Sequence, residues 1–425
     1  MRDGSVWIVL YTLSWIVFFI FLYRKNKKIG VSGMIVASYI AYAIASFMLY
    51  NNDLLGSDFK TLSVFPYIYL FGMLYLSLLP AMRYDRANIE KIEKPNMFVL
   101  NSFSVIFILI SLILLPGYLT GIQDGIVLLI LDPYGGADLY KEAHEVGTVA
   151  RTYLDIPFIL FSMFSYIAVL VFFYYLTIPE SNRIVLYGLA ISMFVNLLSP
   201  ISRGLRTETV LMLFAIAAAY LLLKKWIPQK RRKWINILGI SLGGAVVLLL
   251  IILSISRVIS KDIGAGGSMI EYVGQANLNF NNYGLDAGGI RYGDRTCRIF
   301  KEILMFDGVP SGPLERRSKY SGLLIDDYYF YTFVGDFTID FGPIIAVLIF
   351  IFFSLFFVNA TKARKRHLSF SKLLLLYLAV LIPFQGGMYL FNFSDGGNYT
   401  LMAFVFMAII FSISNNTKTQ IINEH

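Results

Sequence analysis

Charge is scarce in this chain of 425 residues: Asp, Glu, Lys and Arg together make up 15% of it, while 57% is hydrophobic. A soluble domain carries about 25% charged residues. So little polarity cannot cover a water-exposed surface, which excludes a soluble globular protein and makes the chain a polytopic membrane protein. Cysteine is almost absent. Cys297 stands alone, so no intrachain disulfide can form in any compartment. Histidine occurs three times, at His144, His367 and His425. No Gly-x-x-x-x-Gly-Lys loop is present, so no phosphate cradle of the nucleotide-binding type is expected. Low-complexity tracts and internal repeats are absent on inspection.

What is abundant is apolar sequence in runs of about 20 residues, the length that crosses a bilayer. Eleven candidates fall at about 6–23, 31–50, 62–82, 97–119, 154–176, 184–201, 208–223, 234–255, 341–359, 373–391 and 398–413. The first run is followed by "RKNKK" and lacks a basic segment before it or a small-residue cleavage site after it, so it reads as a retained anchor. If "RKNKK" is cytoplasmic, the short loops on that side hold 21 Lys and Arg residues, against 6 in the short loops outside. That asymmetry places the amino terminus outside and the carboxyl terminus inside. It also explains the formal net charge of +9 as topology and contact with anionic headgroups, so no nucleic-acid partner is expected.

The expected architecture is therefore an all-α integral membrane protein with about eleven transmembrane helices, a single polytopic domain over residues 1–425. Two outward loops elaborate it, 120–153 and 256–340, the second preceding helix nine. The second loop holds "YVGQANLNFNNYGL" and "LLIDDYYFYTF", too aromatic for a disordered segment. Its Tyr, Asn, Asp and Gly content suits a carbohydrate, although interfacial tyrosine belts are common to membrane proteins generally.

Several charged residues stand out. In "LLSPISRGLRTETVLMLF", Arg203 and Arg206 lie at the amino end of the seventh run, three residues apart and on one face if the helix begins there. Two guanidiniums at a helix amino terminus, with Gly204 permitting close backbone approach, would hold a diphosphate. The alternatives are headgroup contact or pairing with Glu208. In "RYGDRTCR", Arg291, Arg295 and Arg298 have i, i+4, i+7 spacing, one cationic stripe on a helix, suited to a second diphosphate or to headgroups. The whole loop has 9 cations and 11 anions, so mutual pairing is the competing expectation. Arg257 is a further candidate at the outward end of the eighth run. Asp336 and Asp340, four residues apart at the start of the ninth run, either orient and deprotonate a hydroxyl or simply oppose the helix dipole. Asp326 and Asp327 are adjacent, and adjacent side chains point apart, so they are poor metal ligands. No metal or cofactor is expected. "IPFQGGMYL" breaks the tenth run at Pro383, Gly386 and Gly387, as helices do at transporter substrate sites.

"SRG" ahead of an apolar helix resembles a motif of bacterial O-antigen ligases and polymerases. "TFVGDFTIDFGPIIAVLIF", residues 332–350, resembles the oligosaccharide repeat-unit polymerase family, in which a G-D-F-x-x-D-F-G pattern opens the span after the large outward loop. Together the motifs cover about 35 residues. The resemblance implies a glycosyltransferase C enzyme of the bacterial inner membrane, with its active site facing the periplasm. Its partners would be undecaprenyl-diphosphate-linked oligosaccharides, the bilayer and a chain-length regulator. Arg203, Asp336 and Asp340 would be catalytic, with Arg203, Arg206, Arg257, Arg291, Arg295 and Arg298 binding lipid diphosphate. The ligases carry a histidine in the large loop; here none lies in 256–340, which favours a polymerase over a ligase. A flippase is the alternative from another class, weakened by spans nearly free of charge.

Overall fold

A computed structural model of the chain describes residues 2–53, 55–131, 155–202, 206–237, 239 and 265–423. The chain divides into two compact units. The first comprises Met1–Glu93 and Met269–Ala408, the second Lys94–Ser268 and Ile409–His425.

The helices of the first unit are α1 (Ser5–Asn26), α2 (Val31–Tyr50), α3 (Val64–Arg86), α8 (Ala265–Tyr283), α9 (Arg298–Ile303), α10 (Pro313–Lys319), α11 (Thr332–Phe341), α12 (Pro343–Ala360) and α13 (Phe370–Gly386). α4 (Met97–Leu131), α5 (Asp155–Thr177), α6 (Arg183–Ser202) and α7 (Arg206–Leu223) belong to the second, and α14 (Gly397–Asn423) closes the chain. Among the described residues, eight helices are long and apolar enough to cross a membrane, and Thr207–Leu223 and Phe370–Gly386 are shorter apolar helices. Ten of the eleven expected runs thus meet a described helix, and 234–255 lies almost wholly outside the described residues. The protein is an all-helical bundle of multi-pass type.

Two burial patterns explain this assembly. On α12 the buried residues are Ala346, Phe350, Ser354 and Phe357, a narrow stripe at helical spacing. The rest is apolar and exposed, Ile344 by 80% and Phe352 by 69%, an exterior compatible with lipid and not with water. Along its stripe Ser354 donates to the Leu76 carbonyl of α3 at 2.7 Å. α13 is the opposite case, buried without interruption from Leu376 to Gly386, as a helix apolar on every side must be. In the second unit Phe107, Leu114, Phe161, Ala168 and Val195 form the core where α4, α5 and α6 meet.

Both ends of the first unit are fastened. At one end, Asp85 of α3 caps α2, accepting from the Val31 and Ser32 amides at 2.9 and 2.8 Å. Near it the strands β1 (Lys91–Ile92) and β2 (His367–Leu368) pair in parallel. At the other end α2 turns into α3, α12 begins, and Tyr69 donates to the Pro343 carbonyl at 2.6 Å. The candidate site lies here.

The stretch read as a carbohydrate-facing loop is largely the helix α8. Its asparagines are used internally, because an amide can bond main-chain groups of a neighbour in both directions. Asn281 accepts from the Ser63 amide at 3.0 Å and donates to the Ser63 carbonyl at 2.8 Å. Asn279 donates to the Phe330 carbonyl at 2.9 Å, and Asn277 to the Ser46 hydroxyl at 3.0 Å. Ser46 in turn donates to the Gly274 carbonyl at 2.6 Å. A Cβ at Gly274 would stand 2.7 Å from the Ala45 carbonyl oxygen, so α8 and α2 touch backbone to backbone.

The tenth run also ends sooner than expected. α13 stops at Gly386, and residues 387–396 form a buried irregular turn before α14.

Candidate functional site

The site is built from three pieces of the first unit: the segment 284–298 after α8, the segment from α10 through α11, and the turn between α13 and α14. Asp336 and Asp340 do not open the ninth span. They sit on α11, a separate ten-residue helix. Gly342, at φ 80°, lets its amide close on Thr338, and Pro343, which lacks an N–H, starts α12 afresh. A second glycine is required at Gly293, where φ is 78° and a Cβ would meet the Phe341 ring at 3.0 Å.

Arg291, Arg295 and Arg298 are not one helical stripe either. Residues 292–297 are turns, and only Arg298 belongs to a helix, α9. The turns arise because Tyr292 and Gly293 both take positive φ, which an α-helix cannot accommodate.

These turns aim the arginines inward onto the aspartates. Arg291, 1% exposed, pairs with Asp327, with Asp336 at 3.2 Å and through its Nε with Asp340 at 2.7 Å. It also donates to the Tyr331 hydroxyl at 2.9 Å. Arg295 lies 2.8 Å from Asp336 and 3.4 Å from Asp327. Arg316 of α10 pairs with Asp327 and grips Asp395 with two nitrogens at 2.5 and 3.0 Å. Arg298 reaches Asp395 at 3.3 Å and Glu302 at 2.5 Å. Main-chain and hydroxyl donors complete the acceptors. Phe391 donates its amide to Asp336 at 2.6 Å, and Thr296 donates both amide and hydroxyl to Asp340 at 2.7 Å. Beside the cluster, Asp294 accepts from Lys301, from Lys319 at 2.6 Å and from the Tyr320 hydroxyl at 2.8 Å.

Four arginines therefore face four aspartates, and the cluster is neutral. Burial raises the Asp336 carboxyl, and Arg295 and Arg291 only partly offset it. Burial also acts on Asp327, but there Arg291, Arg295 and Arg316 win and hold the carboxyl well below the usual range. Burial pushes the neighbouring Cys297 thiol up.

This geometry constrains the chemistry. Asp336 and Asp340 are fully buried, and three of their four oxygens accept hydrogen bonds; the fourth, Oδ1 of Asp340, lies 2.7 Å from the Arg291 Nε as an ion pair without a hydrogen bond of good geometry. Arg291 donates hydrogen bonds from both terminal nitrogens. Arg295 differs: it has two ion pairs and, among the described residues, no hydrogen bond of good donor geometry. The other three arginines of the cluster each donate such bonds. Arg203 and Arg257 lie outside the described residues, as does His144. Arg206 is the first residue of α7.

Arg316, Asp327 and Asp395 belong to the cluster but were not marked as site residues by the sequence. The signal for two of them was alternation: adjacent side chains point apart. Asp327 turns inward while Asp326 pairs with Arg317 at 2.7 Å on the surface, and Arg316 is buried while Arg317 is 41% exposed. Asp395 had no such signal; only the break after Pro383 hints at it.

No family model, curated protein or solved structure matches the chain.

Proposed function

We propose that the protein is an oligosaccharide repeat-unit polymerase, acting on undecaprenyl-diphosphate-linked sugars at the periplasmic face of a bacterial inner membrane. The observation that carries this reading is the fate of the G-D-F-x-x-D-F-G residues. Both aspartates of that pattern anchor the arginine-bearing segment 291–298, so motif and loop form one folded element beside apolar helices.

In the proposed reaction a hydroxyl oxygen of the incoming lipid-linked unit bonds to the anomeric carbon of the growing chain's reducing-end sugar. The bond from that carbon to the lipid diphosphate breaks, and the diphosphate leaves with the bonding pair. Negative charge grows on the leaving group, and guanidiniums aimed at it lower the barrier. Arg203 and Arg206 serve one diphosphate. Arg295, with Arg298 at the cluster's rim, serves a second. Asp336 and Asp340, fully buried in ion pairs with the arginines, act as positioning residues, and the hydroxyl proton passes to the departing diphosphate itself.

Deletion of the gene, followed by analysis of surface glycan, tests the reading. Loss of long chains with single repeats still attached supports a polymerase. Loss of all repeats means a flippase, and long chains left on the lipid carrier mean a ligase. In complemented cells Arg203→Ala should lose long polymer at normal protein level. Charge-assisted hydrogen bonds are worth about 1.5–3 kcal/mol each, roughly a ten- to hundred-fold slowing when one is lost from the transition state. Arg203→Lys should restore chain length only partly, because an ammonium lacks the two-pronged fork. Normal-length glycan from Arg203→Ala would reduce that arginine to a headgroup anchor.

A further inference from the structure

Within the second unit a buried amide side chain stands without a hydrogen-bond partner. Asn196 of α6 is 2% exposed, and neither its amide oxygen nor its amide nitrogen has a hydrogen-bond partner among the described residues. Such a group in the interior of a membrane bundle is expensive, and its persistence points to something that satisfies it. A second observation falls at the same residue. Pro200 lies four positions on, inside the helix, and has no N–H to offer the Asn196 carbonyl. The helix bond that would close on the Asn196 carbonyl is thus missing beside the open side chain.

The position is inside the bundle. Ser192, Asn196 and Ser199 share one face of α6, all buried. Gly188, one turn before Ser192, packs so closely that a Cβ there would stand 2.6 Å from Ile108 of α4. Ser192 satisfies itself by donating to the Gly188 carbonyl at 3.0 Å. Asn196 lies six residues before Ser202, the end of α6, or about 9 Å along the helix.

The donor set selects the ligand. The open side-chain oxygen is an acceptor and repels phosphate oxygens. The open amide nitrogen is a donor, which a metal cation or an ammonium cannot use. A hydroxyl, which both donates and accepts, matches. We infer that Asn196 binds a neutral hydroxyl group of the lipid-linked saccharide inside the bundle, leaving the diphosphate to the arginines. This inference rests on the proposed polymerase function, and water is the other hydroxylic source.

The test uses the full-length protein reconstituted in vesicles of bacterial lipid, with undecaprenyl-diphosphate-linked repeat units extracted from the deletion strain as probe. Asn196→Leu keeps the size and removes the hydrogen bonds. The expected result is a KM at least tenfold higher with thermal stability equal to or above wild type. Wild-type kinetics with unchanged or higher stability would assign the amide to water and overturn the inference. If Asn196→Leu folds poorly, Asn196→Ser replaces it. KM does not depend on the active fraction, so a lower yield with wild-type KM from both variants makes Asn196 a packing element and also overturns the inference. Wild-type protein that fails to extend the probe removes the polymerase reading, and this inference falls with it.

Discussion

Asp326 and Asp327 are neighbours in sequence with opposite surroundings, so the same substitution at each isolates what burial does to an ion pair. Asp327 is 9% exposed and faces Arg291, Arg316 and, at 3.4 Å, Arg295. At an effective dielectric of about 20, the 3.4 Å pair alone is worth about 5 kcal/mol of gross attraction, much of it offset by desolvation. Asp327→Asn leaves three guanidiniums sharing one carboxylate fewer in a dry place, and removing one partner of a buried pair costs about 3–5 kcal/mol. Asp326 meets Arg317 with 37% and 41% of their side chains exposed, and Asp326→Asn should cost under about 1 kcal/mol. Pulse proteolysis of the purified proteins across a denaturant series reads both values. The pH dependence adds a signed check. Because the folded Asp327 carboxyl is held below its unfolded value of about 3.9, its contribution is complete above that pH and is lost as pH falls toward the folded value. The gap between wild type and Asp327→Asn should therefore be flat at neutral pH and narrow below about pH 4. Equal losses at the two positions, or a gap that does not narrow in acid, would refute the buried-cluster argument.

Gly274→Ala should destabilise the first unit by about 1–3 kcal/mol in the same assay, since the new methyl meets the Ala45 carbonyl rather than a side chain that can move. Asp85→Ala should cost about 1–2 kcal/mol by uncapping α2, with Asp85→Asn intermediate; no change would mean water replaces the cap. Cys297 should react with a membrane-impermeant thiol reagent in spheroplasts only after denaturation or very slowly before it, since burial both covers the thiol and disfavours its thiolate. Labelling confined to inside-out vesicles would reverse the assigned orientation.

The spans were legible because a bilayer demands a length and an apolar surface, and both are written in single residues. α12 illustrates it: the run 341–359 became Pro343–Ala360. The cluster was legible only in half. Spacing marked Arg291, Arg295 and Arg298 as a group, but the expectation of a stripe assumed a helix that Tyr292 and Gly293 prevent. Their partners arrive from segments distant in sequence, and nothing local in "FNFSDGG" announces that Asp395 closes on Arg316, 79 residues earlier. The asparagines of α8 show the converse. A polar composition signalled exposure, whereas amides satisfy buried backbone equally well, and only the neighbouring segments decide between the two uses.

The long reach from Arg316 to Asp395 also sets an order of assembly. At about 5–20 residues per second, Asp395 leaves the ribosome roughly 4–16 s after Arg316. During that interval Arg316 has one of its two carboxylate partners, Asp327, and Asp336 waits for the Phe391 amide. The charged head is made early and locked late, by the turn that precedes the last helix. A nascent chain stalled before residue 390 would hold every arginine of the cluster with its final carboxylate still missing, four guanidiniums against three carboxylates.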